Sequence, residues 1–352
     1  MSTCILVWVD IAPSCRMVIA MIAKNTKDKI LELLEKNRGE SISGEDIAKM
    51  LSVSRNAVWK AVNSLKKEGY GISSVNNRGY ALLPDNDILS AAGILPYLDN
   101  DAYVSKVHIY DTLESTNKTA KEMAVSGCDH GTVVIANTQT SGKGRYKRNF
   151  YSPPDSGLYL SFVFRAEILH IQNPSLITAS VAVAVCRAIE AVSEERPKIK
   201  WINDIFIEDK KICGILTEAV TDLESGSIDW IVAGIGINVS NNKGDFPEEL
   251  AQIAGSIFSG SDKNGRKEAA TRNRLAAEII NRCFGLKTWL DDEAVYSEYR
   301  ERLMLSGRRI TVTLPEETYE ATATDVDING HLVVRKDDGE IISLSSGKIS
   351  FR

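Results

Sequence analysis

The sequence has little of what builds metal sites or disulfide frameworks: its 352 residues include six cysteines and four histidines. Cys4, Cys15, Cys128, Cys186, Cys213 and Cys283 form no Cys-x-x-Cys pair, and the histidines do not gather near them. That spacing argues against a zinc site, and no metal-ligand set is expected. Scattered unpaired thiols fit a reducing cytoplasm, where cysteine serves as a small apolar side chain. Long apolar runs are lacking too. Ile5–Val9 and Met17–Ala23 are separated by Asp10, Pro13 and Arg16, so neither piece spans a bilayer and no membrane partner is expected. No basic n-region or small-residue cleavage site marks a signal peptide. Residues 1–23 read as an upstream extension with Met17 or Met21 as alternative starts, and an intact mass beginning at Met1 would refute this.

What is present is ordinary globular composition, 43% hydrophobic and 25% charged, which excludes disordered, collagenous and coiled-coil classes. The length allows two or three domains. Charge is unevenly divided: Lys24 to Leu82 holds eleven Lys/Arg against seven Asp/Glu, a net +4 inside a chain of net −5. Such asymmetry points to a polyanion partner, with a merely solvated basic face as the other reading.

In that basic segment Ile30, Leu31, Leu33 and Leu34 recur at helical spacing until Asn37-Arg38-Gly39 stops them. Ser43 caps a short second helix, acidic in its first turn, and Ser54 caps a third with the apolar stripe Ala57, Val58, Ala61, Val62 and Leu65. Two short helices joined this tightly predict a helix-turn-helix. Between Ser54 and Lys67 every charged residue is basic, which suits a phosphate-facing helix. Two short strands around Asn76-Asn77-Arg78-Gly79 then form a wing. Ser54, Arg55, Asn56, Lys60 and Arg78 are the candidate DNA contacts; a helical interaction domain is the alternative. Leu83-Pro-Asp-Asn-Asp87 breaks the pattern, so domains are expected at 24–84 and from 85 onward.

His108–Tyr110 reads as a short strand, and Lys118–Val125 as a helix with Ser115-Thr116-Asn117 at its N-terminus, suited either to a small polar ligand or to ordinary capping. Thr132–Thr138 is a buried strand. From it emerges Gln139-Thr-Ser-Gly-Lys-Gly-Arg-Tyr-Lys-Arg148, which reads as a mobile, strongly cationic loop suited to phosphate. It is not a P-loop, because Gly144 follows Lys143. Lys200-Trp-Ile-Asn-Asp204 leads into a hairpin bearing Lys211, and Trp230–Asn238 is a strand whose Gly234 and Gly236 would let a ligand approach closely.

Ser-Thr-Asn, Gln-Thr-x-Gly-x-Gly-Arg, Lys-Trp-x-Asn-Asp followed by Lys-x-x-Gly-Ile-Leu, and Gly-Ile-Gly-Ile-Asn stand here in that order. The set resembles the bacterial biotin–protein ligases, and the winged N-terminus is similar to their bifunctional branch, the biotin operon repressors. From about Lys27 to Arg352 the resemblance implies an α+β chain: a winged helix-turn-helix, a central mixed sheet with helices similar to class II aminoacyl-tRNA synthetase cores to residue 304, and an SH3-like β-barrel over 305–352. Short strands at Arg309–Thr313, Tyr319–Ala323, His331–Arg335 and Ile341–Leu344, separated by Pro, Asn-Gly and Asp-Gly turns, agree with a small barrel.

The implied chemistry is attack of the biotin carboxylate on the α-phosphate of ATP, then attack of a lysine of biotin carboxyl carrier protein on the mixed anhydride. Mg²⁺ accompanies the nucleotide. Arg145 and Lys211 match the positions supplying positive charge to the reacting phosphate and contacting biotin. Ser115, Thr116, Asn117 and Gln139 map around biotin, with Lys143 and Gly144 adjoining. Arg148, Asn203, Asp204, Gly214 and Asn238 are implied on the adenylate side, Asp204 in a position to steer Mg²⁺ or the incoming amine. The resemblance also implies operator DNA as a partner and homodimerisation promoted by biotinyl-adenylate. Relatives commonly read Gly-Arg-Gly-Arg-x-Gly-Arg-x-Trp in the loop; here Lys143 replaces an Arg, Lys147 a Gly and Phe150 the Trp. Ser346-Gly347-Lys348 stands where they carry Gly-Glu, so a barrel contact to the site is expected to differ. A lipoate–protein ligase and a ligand-sensing repressor without turnover are the competing readings.

Overall fold

A computed structural model describes residues 25–75, 78–169, 174–221, 226–240, 246–258, 271–286 and 293–350. The reading of residues 1–23 as an extension, with Cys4 and Cys15, lies outside the described residues.

The basic segment folds as expected. Helices α1 (Thr26–Lys36), α2 (Gly44–Leu51) and α3 (Arg55–Lys67) are each capped by the side chain before them: Asn25, Ser43 and Ser54 accept from the backbone N–H groups of Asp28, Asp46 and Ala57. Ser52, left-handed at φ 53°, makes the tight turn between α2 and α3. Strands β1 (Ile72–Val75) and β2 (Gly79–Leu82) pair antiparallel as the wing. Gly79 is obligatory there: its φ is +98°, and a Cβ would sit 2.0 Å from the Ile42 carbonyl oxygen. Ile30, Leu34, Ile47, Val58, Val62 and Leu65 make this unit's own core.

The expected break at 83–87 is a fastened strap. Arg38 donates to the carbonyls of Leu83, Pro84 and Asn86. Beyond it, α4 (Ala91–Ile94) contributes Ala92 to the N-terminal core and Ile94 to the next one.

The centre is a seven-stranded sheet. Strands β3 (Val107–Leu113), β4 (Thr132–Gln139) and β5 (Gly157–Arg165) are joined by β6 (Lys198–Lys200), β7 (Asp204–Ile207), β8 (Lys210–Thr221) and β9 (Ile228–Asn238) in the order β3-β4-β5-β9-β8-β7-β6. Only β3 and β4 run parallel, with α5 (Thr116–Val125) as their crossover; the other neighbours are antiparallel. After β5 come the short α6 (Ala166–Leu169) and the long α7 (Pro174–Val192). By length and composition α7 could cross a bilayer, but 72% of its apolar stretch is buried. It is a core helix, packed with α9 (Thr271–Phe284) and α10 (Glu293–Arg302), while α8 (Glu248–Ala251) lies beside the site. Cys186, Cys213 and Cys283 are buried and Cys128 half-buried, all unpaired, as apolar fillers.

The C-terminal unit is a five-stranded antiparallel sheet, β10 (Arg309–Thr313), β11 (Thr318–Val326), β12 (Leu332–Lys336), β13 (Ile341–Leu344) and β14 (Lys348–Ser350), in the order β13-β12-β11-β10-β14. The sequence reading did not include β14, which is too short to show alternation. It pairs with β10, and the Trp201 indole N–H donates to the Gly330 carbonyl at 2.9 Å, joining this unit to the central one.

Candidate functional site

Two concavities meet at the open end of β4, β8 and β9. Ser115, Thr116, Asn117, Gln139, Gly234 and Gly236 wall the smaller, about 20 Å³, room for one water. The larger, about 390 Å³, takes in Arg145, Arg148, Asn203, Asp204, Lys211 and Asn238. Lys143, Phe150, Gly214 and Leu216 line both.

In the smaller pocket Gln139, last residue of β4, reaches to the start of α5. Its Oε1 accepts from the Thr116 backbone N–H at 2.9 Å and the Thr116 hydroxyl at 3.2 Å, while Nε2 donates to Ser152 Oγ at 3.0 Å. Ordinary capping by Ser115 is therefore not what happens: its side chain makes no cap bond, and Gln139 satisfies the helix terminus from across the pocket. Asn117 points into the sheet, donating to the Leu216 carbonyl at 3.1 Å and Glu218 Oε2 at 2.8 Å, with Ser161 Oγ 2.6 Å from its Oδ1. Ser115, Thr116, Asn117, Ser152 and Ser161 are buried and Gln139 and Glu218 half-buried, and together they present a hydrogen-bonding surface.

The two glycines of β9 wall the smaller pocket and also leave room for protein side chains. A Cβ on Gly234 would lie 2.0 Å from Asn117 Oδ1, and one on Gly236 would lie 2.6 Å from the Phe150 ring. Both make room for protein side chains. The Phe150 ring, also 3.4 Å from where a Gly214 Cβ would be, lies between the two concavities.

The cationic loop is a folded turn. Lys143 bridges Asn149, the Gly144 N–H donates to the Arg148 carbonyl at 2.8 Å, and the Phe150 N–H donates to the Gly142 carbonyl at 2.9 Å. Gly142 packs closely, since a Cβ there would sit 2.7 Å from both the Phe150 carbonyl and Ser152 Oγ. Tyr146, in the left-handed region at φ 56°, reverses the chain and turns Arg145 inward.

Four expected residues from three segments then form one chain of contacts. Arg145 donates to Asn203 Oδ1 at 3.1 Å, the Asn203 amide donates to Asp204 Oδ1 at 3.0 Å, and Lys211 Nζ stands 2.8 Å from the same oxygen. Lys211 is held by its backbone, its N–H donating to the Ile253 carbonyl and its carbonyl accepting from the Gly255 N–H, both at 2.9 Å. Asn238 donates to the Gly255 carbonyl at 2.9 Å from the floor.

Six cations, Lys143, Arg145, Arg148, Lys200, Lys211 and Lys348, line the larger cavity, with Asp204 the one carboxylate among its described residues. Lys200 was not assigned from sequence although it opens the Lys-Trp-x-Asn-Asp motif. Burial pushes its ammonium down from the ordinary lysine value; Lys211, Lys348 and Arg148 add to the fall, and Asp204 opposes it. The barrel strand β14 brings Lys348, a contact foreshadowed by the departure at Ser346-Gly347-Lys348. Ser161, Ser152 and Glu218 carried no local signal, because only the sheet register brings them to Asn117 and Gln139. Tyr151 and Phe246, ring centroids 6.4 Å apart, line the same cavity. Among the described residues no group of three His, Cys, Asp or Glu could hold a metal.

The candidate DNA contacts are all exposed on the winged unit. Arg55, Asn56 and Lys60 are exposed on α3, Ser54 is exposed while capping it, and Arg78 is exposed on the wing. Helix α3 carries no acid, but α2 brings Glu45 to 4.0 Å from Arg55.

Comparison with known proteins agrees with this geometry. Residues 26–81 match the HTH domain family, 109–238 the Biotin/lipoate A/B protein ligase family, and 305–352 the Biotin protein ligase C terminal domain. The Bifunctional ligase/repressor BirA of Bacillus spizizenii is 39% identical over 311 residues, covering 88% of this chain and 94% of that protein. Its Escherichia coli counterpart is 28% identical over 333 residues, covering 92% and 96%. Among solved structures, the biotin protein ligase of Aquifex aeolicus in complex with biotin and ATP superposes with TM-score 0.58 at 23% identity, covering 70% of this chain and 98% of that one, a likeness of fold. With an ordered motif set, three matching domains and a relative of this identity over nearly its whole length, the chain belongs to the bifunctional biotin–protein ligase/repressor family.

Proposed function

We infer that this protein is an ATP-dependent biotin–protein ligase that also acts as a biotin-responsive transcriptional repressor. One observation carries the catalytic half: an amide- and hydroxyl-walled pocket abuts a cavity with six cations and one carboxylate. A neutral ureido ring suits the first and a polyphosphate the second.

In our assignment Ser115, Thr116, Asn117 and Gln139 bind the biotin ring, and Lys143 and Gly144 adjoin it. A bicyclic ring needs more than about 20 Å³, so Gln139 and Phe150 shift on binding. Arg145 and Lys211 flank the reacting phosphate, while Arg148, Asn203, Asp204, Gly214 and Asn238 hold the nucleotide side. A biotin carboxylate oxygen bonds to the α-phosphorus, the bond to the bridging oxygen breaks, and pyrophosphate leaves. The carrier lysine then attacks the acyl carbon, AMP leaves, and the amine proton is lost. Both reactants of the first step are anions, so preorganised cations lower its barrier by screening their repulsion and stabilising the charge that moves to the leaving group. Mg²⁺ suits a site with one carboxylate and bound phosphates; it would come with ATP and neutralise phosphate charge, with Asp204 the carboxylate that would hold it.

We further propose cytoplasmic residence, domain limits at 84/85 and 304/305, a biotin carboxyl carrier protein as acceptor, and homodimerisation on operator DNA promoted by biotinyl-adenylate. Incubation with ATP, Mg²⁺, biotin and a carrier domain, read by carrier mass, tests the ligase. Lipoate offered alongside separates the two substrates within the matched family. Pyrophosphate release excludes a repressor without turnover, and a gel shift independent of ligand would contradict the coupling.

A further inference from the structure

On α3, Val58, Ala61, Val62 and Leu65 are buried, and Trp59, 56% exposed, stands outside that buried stripe. Asn56 and Asn63 lie three residues before and four after it, the spacings that put side chains on one helical face. With Lys60, Asn63, Ser64, Lys66 and Lys67, the indole lines a shallow surface depression. Lys66 donates to Ser74 Oγ at 2.7 Å, tying the wing to this helix. No part of the described chain covers the ring. An aromatic flanked by lysines, on a helix without an acid, fits a polyanion better than an acid-studded or apolar protein surface.

We propose that Trp59, with Asn63, reads base edges in the major groove, the indole packing on a thymine C5-methyl group while Lys60 and Lys67 take phosphates. The reasoning rests on the repressor reading. Phosphate contact needs charge and no aromatic ring. The apolar group that the major groove offers is the thymine methyl, and the side chain that matches adenine is an amide such as Asn63. The sequence-derived DNA contacts, Ser54, Arg55, Asn56, Lys60 and Arg78, are all polar, so this adds the apolar element and a second amide about two turns beyond Asn56 on α3.

The test uses the full-length protein with biotin and ATP. Its probes are a duplex selected by the wild type from a randomised library, the same duplex with uracil in place of every thymine, and an unrelated duplex of equal length. Uracil should weaken wild-type binding about tenfold. Trp59→Ala should bind the selected duplex about tenfold more weakly, lose the thymine–uracil difference, and keep its affinity for the unrelated duplex. Lys60→Ala should weaken all three alike. Because Trp59 is exposed, carrier biotinylation and thermal stability of Trp59→Ala should be those of the wild type, and Trp59→Phe should retain part of the thymine preference. Wild-type affinity in Trp59→Ala, an equal loss on all duplexes, or a change only in self-association or carrier labelling would overturn the proposal, the last by assigning the face to a protein. A wild type that selects no duplex would instead sink the repressor reading.

Discussion

Replacing Lys211 by alanine should slow pyrophosphate release about 10²–10³-fold, the effect of deleting one preorganised donor at a charge-developing site, while leaving the fold almost untouched. Lys211 sits at the start of β8 with its N–H and carbonyl both bonded to the segment around Ile253–Gly255, so truncation beyond Cβ leaves its anchorage intact. The side chain's partner is Asp204 at 2.8 Å, the two being 30% and 25% exposed. Pairs this accessible contribute about 0–1 kcal/mol, and Asp204 keeps the Asn203 amide at 3.0 Å. A loss of that size lowers the melting temperature by at most about 2–4 °C in a domain of this size. The rate should respond far more, because at about 4 Å and an effective dielectric of 20 one cation is worth about 4 kcal/mol to a phosphate charge. The assay is a pyrophosphate-coupled burst with saturating biotin and ATP, run beside a thermal melt. Lys211→Arg should recover little, since a planar fork does not reproduce a point charge at this backbone position. Wild-type release from Lys211→Ala would remove Lys211 from the reaction, and a collapse in melting temperature would make its role structural.

Gly234→Ala puts a methyl group 2.0 Å from Asn117 Oδ1; displacing that buried amide should weaken biotin binding about 100-fold by calorimetry, with ATP affinity unchanged. The Lys200 ammonium, lowered by burial, should lose its charge below the ordinary lysine range, so KM for ATP should rise as pH climbs from neutral toward about 10; Lys200→Arg should abolish that alkaline limb. Lys348→Glu sets an anion among the cations of the larger cavity and should raise KM for ATP about tenfold at low salt, less at high salt. Arg272, 2% exposed, donates to Asp87 and Asn137; Arg272→Leu should cost about 3–5 kcal/mol in denaturant unfolding, partly restored when Asp87→Asn removes the stranded charge.

The elements easiest to read were those whose signals are local. Ser43 and Ser54 cap their helices by the side-chain bonds their positions suggest, and the two strands on either side of the Asn-Asn segment pair as a wing. Gln139, Arg145, Asn203, Asp204 and Lys211 were legible through motif order, and the sheet does gather them. What could not be read was anything decided by register across the sheet. Ser161 on β5 meets Asn117 on α5 only because β5 and β9 pair Ser161 with Gly234, the residue whose missing side chain Asn117 fills. The same holds for Phe150: its place over Gly236 and Gly214 follows from a loop closure and a β8–β9 register that puts those two glycines opposite each other. That these glycines also admit Asn117 and Phe150 is invisible in the sequence, because register sets their neighbours in space.

That packing bears on how ligand occupancy reaches the DNA-binding unit. Asn137, two residues before Gln139 on β4, accepts from Arg272 at 2.8 Å, and the Arg272 guanidinium also donates to the Asp87 carbonyl at 2.6 Å. Asp87 ends the strap whose Leu83, Pro84 and Asn86 carbonyls are held by Arg38 of the winged unit. Gln139 is bonded to Thr116 and Ser152 beside the pocket, and a movement of β4 on ligand binding would be felt at the Arg272 contacts. Such contacts have two states, made or broken, and tolerate little gradual strain. A ligand that binds one arrangement of Gln139 better shifts the strap by no more than its differential affinity. The strap therefore joins β4, through Arg272, to Arg38 of the winged unit, and the dependence of operator affinity on biotin in Arg272→Leu compared with the wild type measures whether it carries coupling.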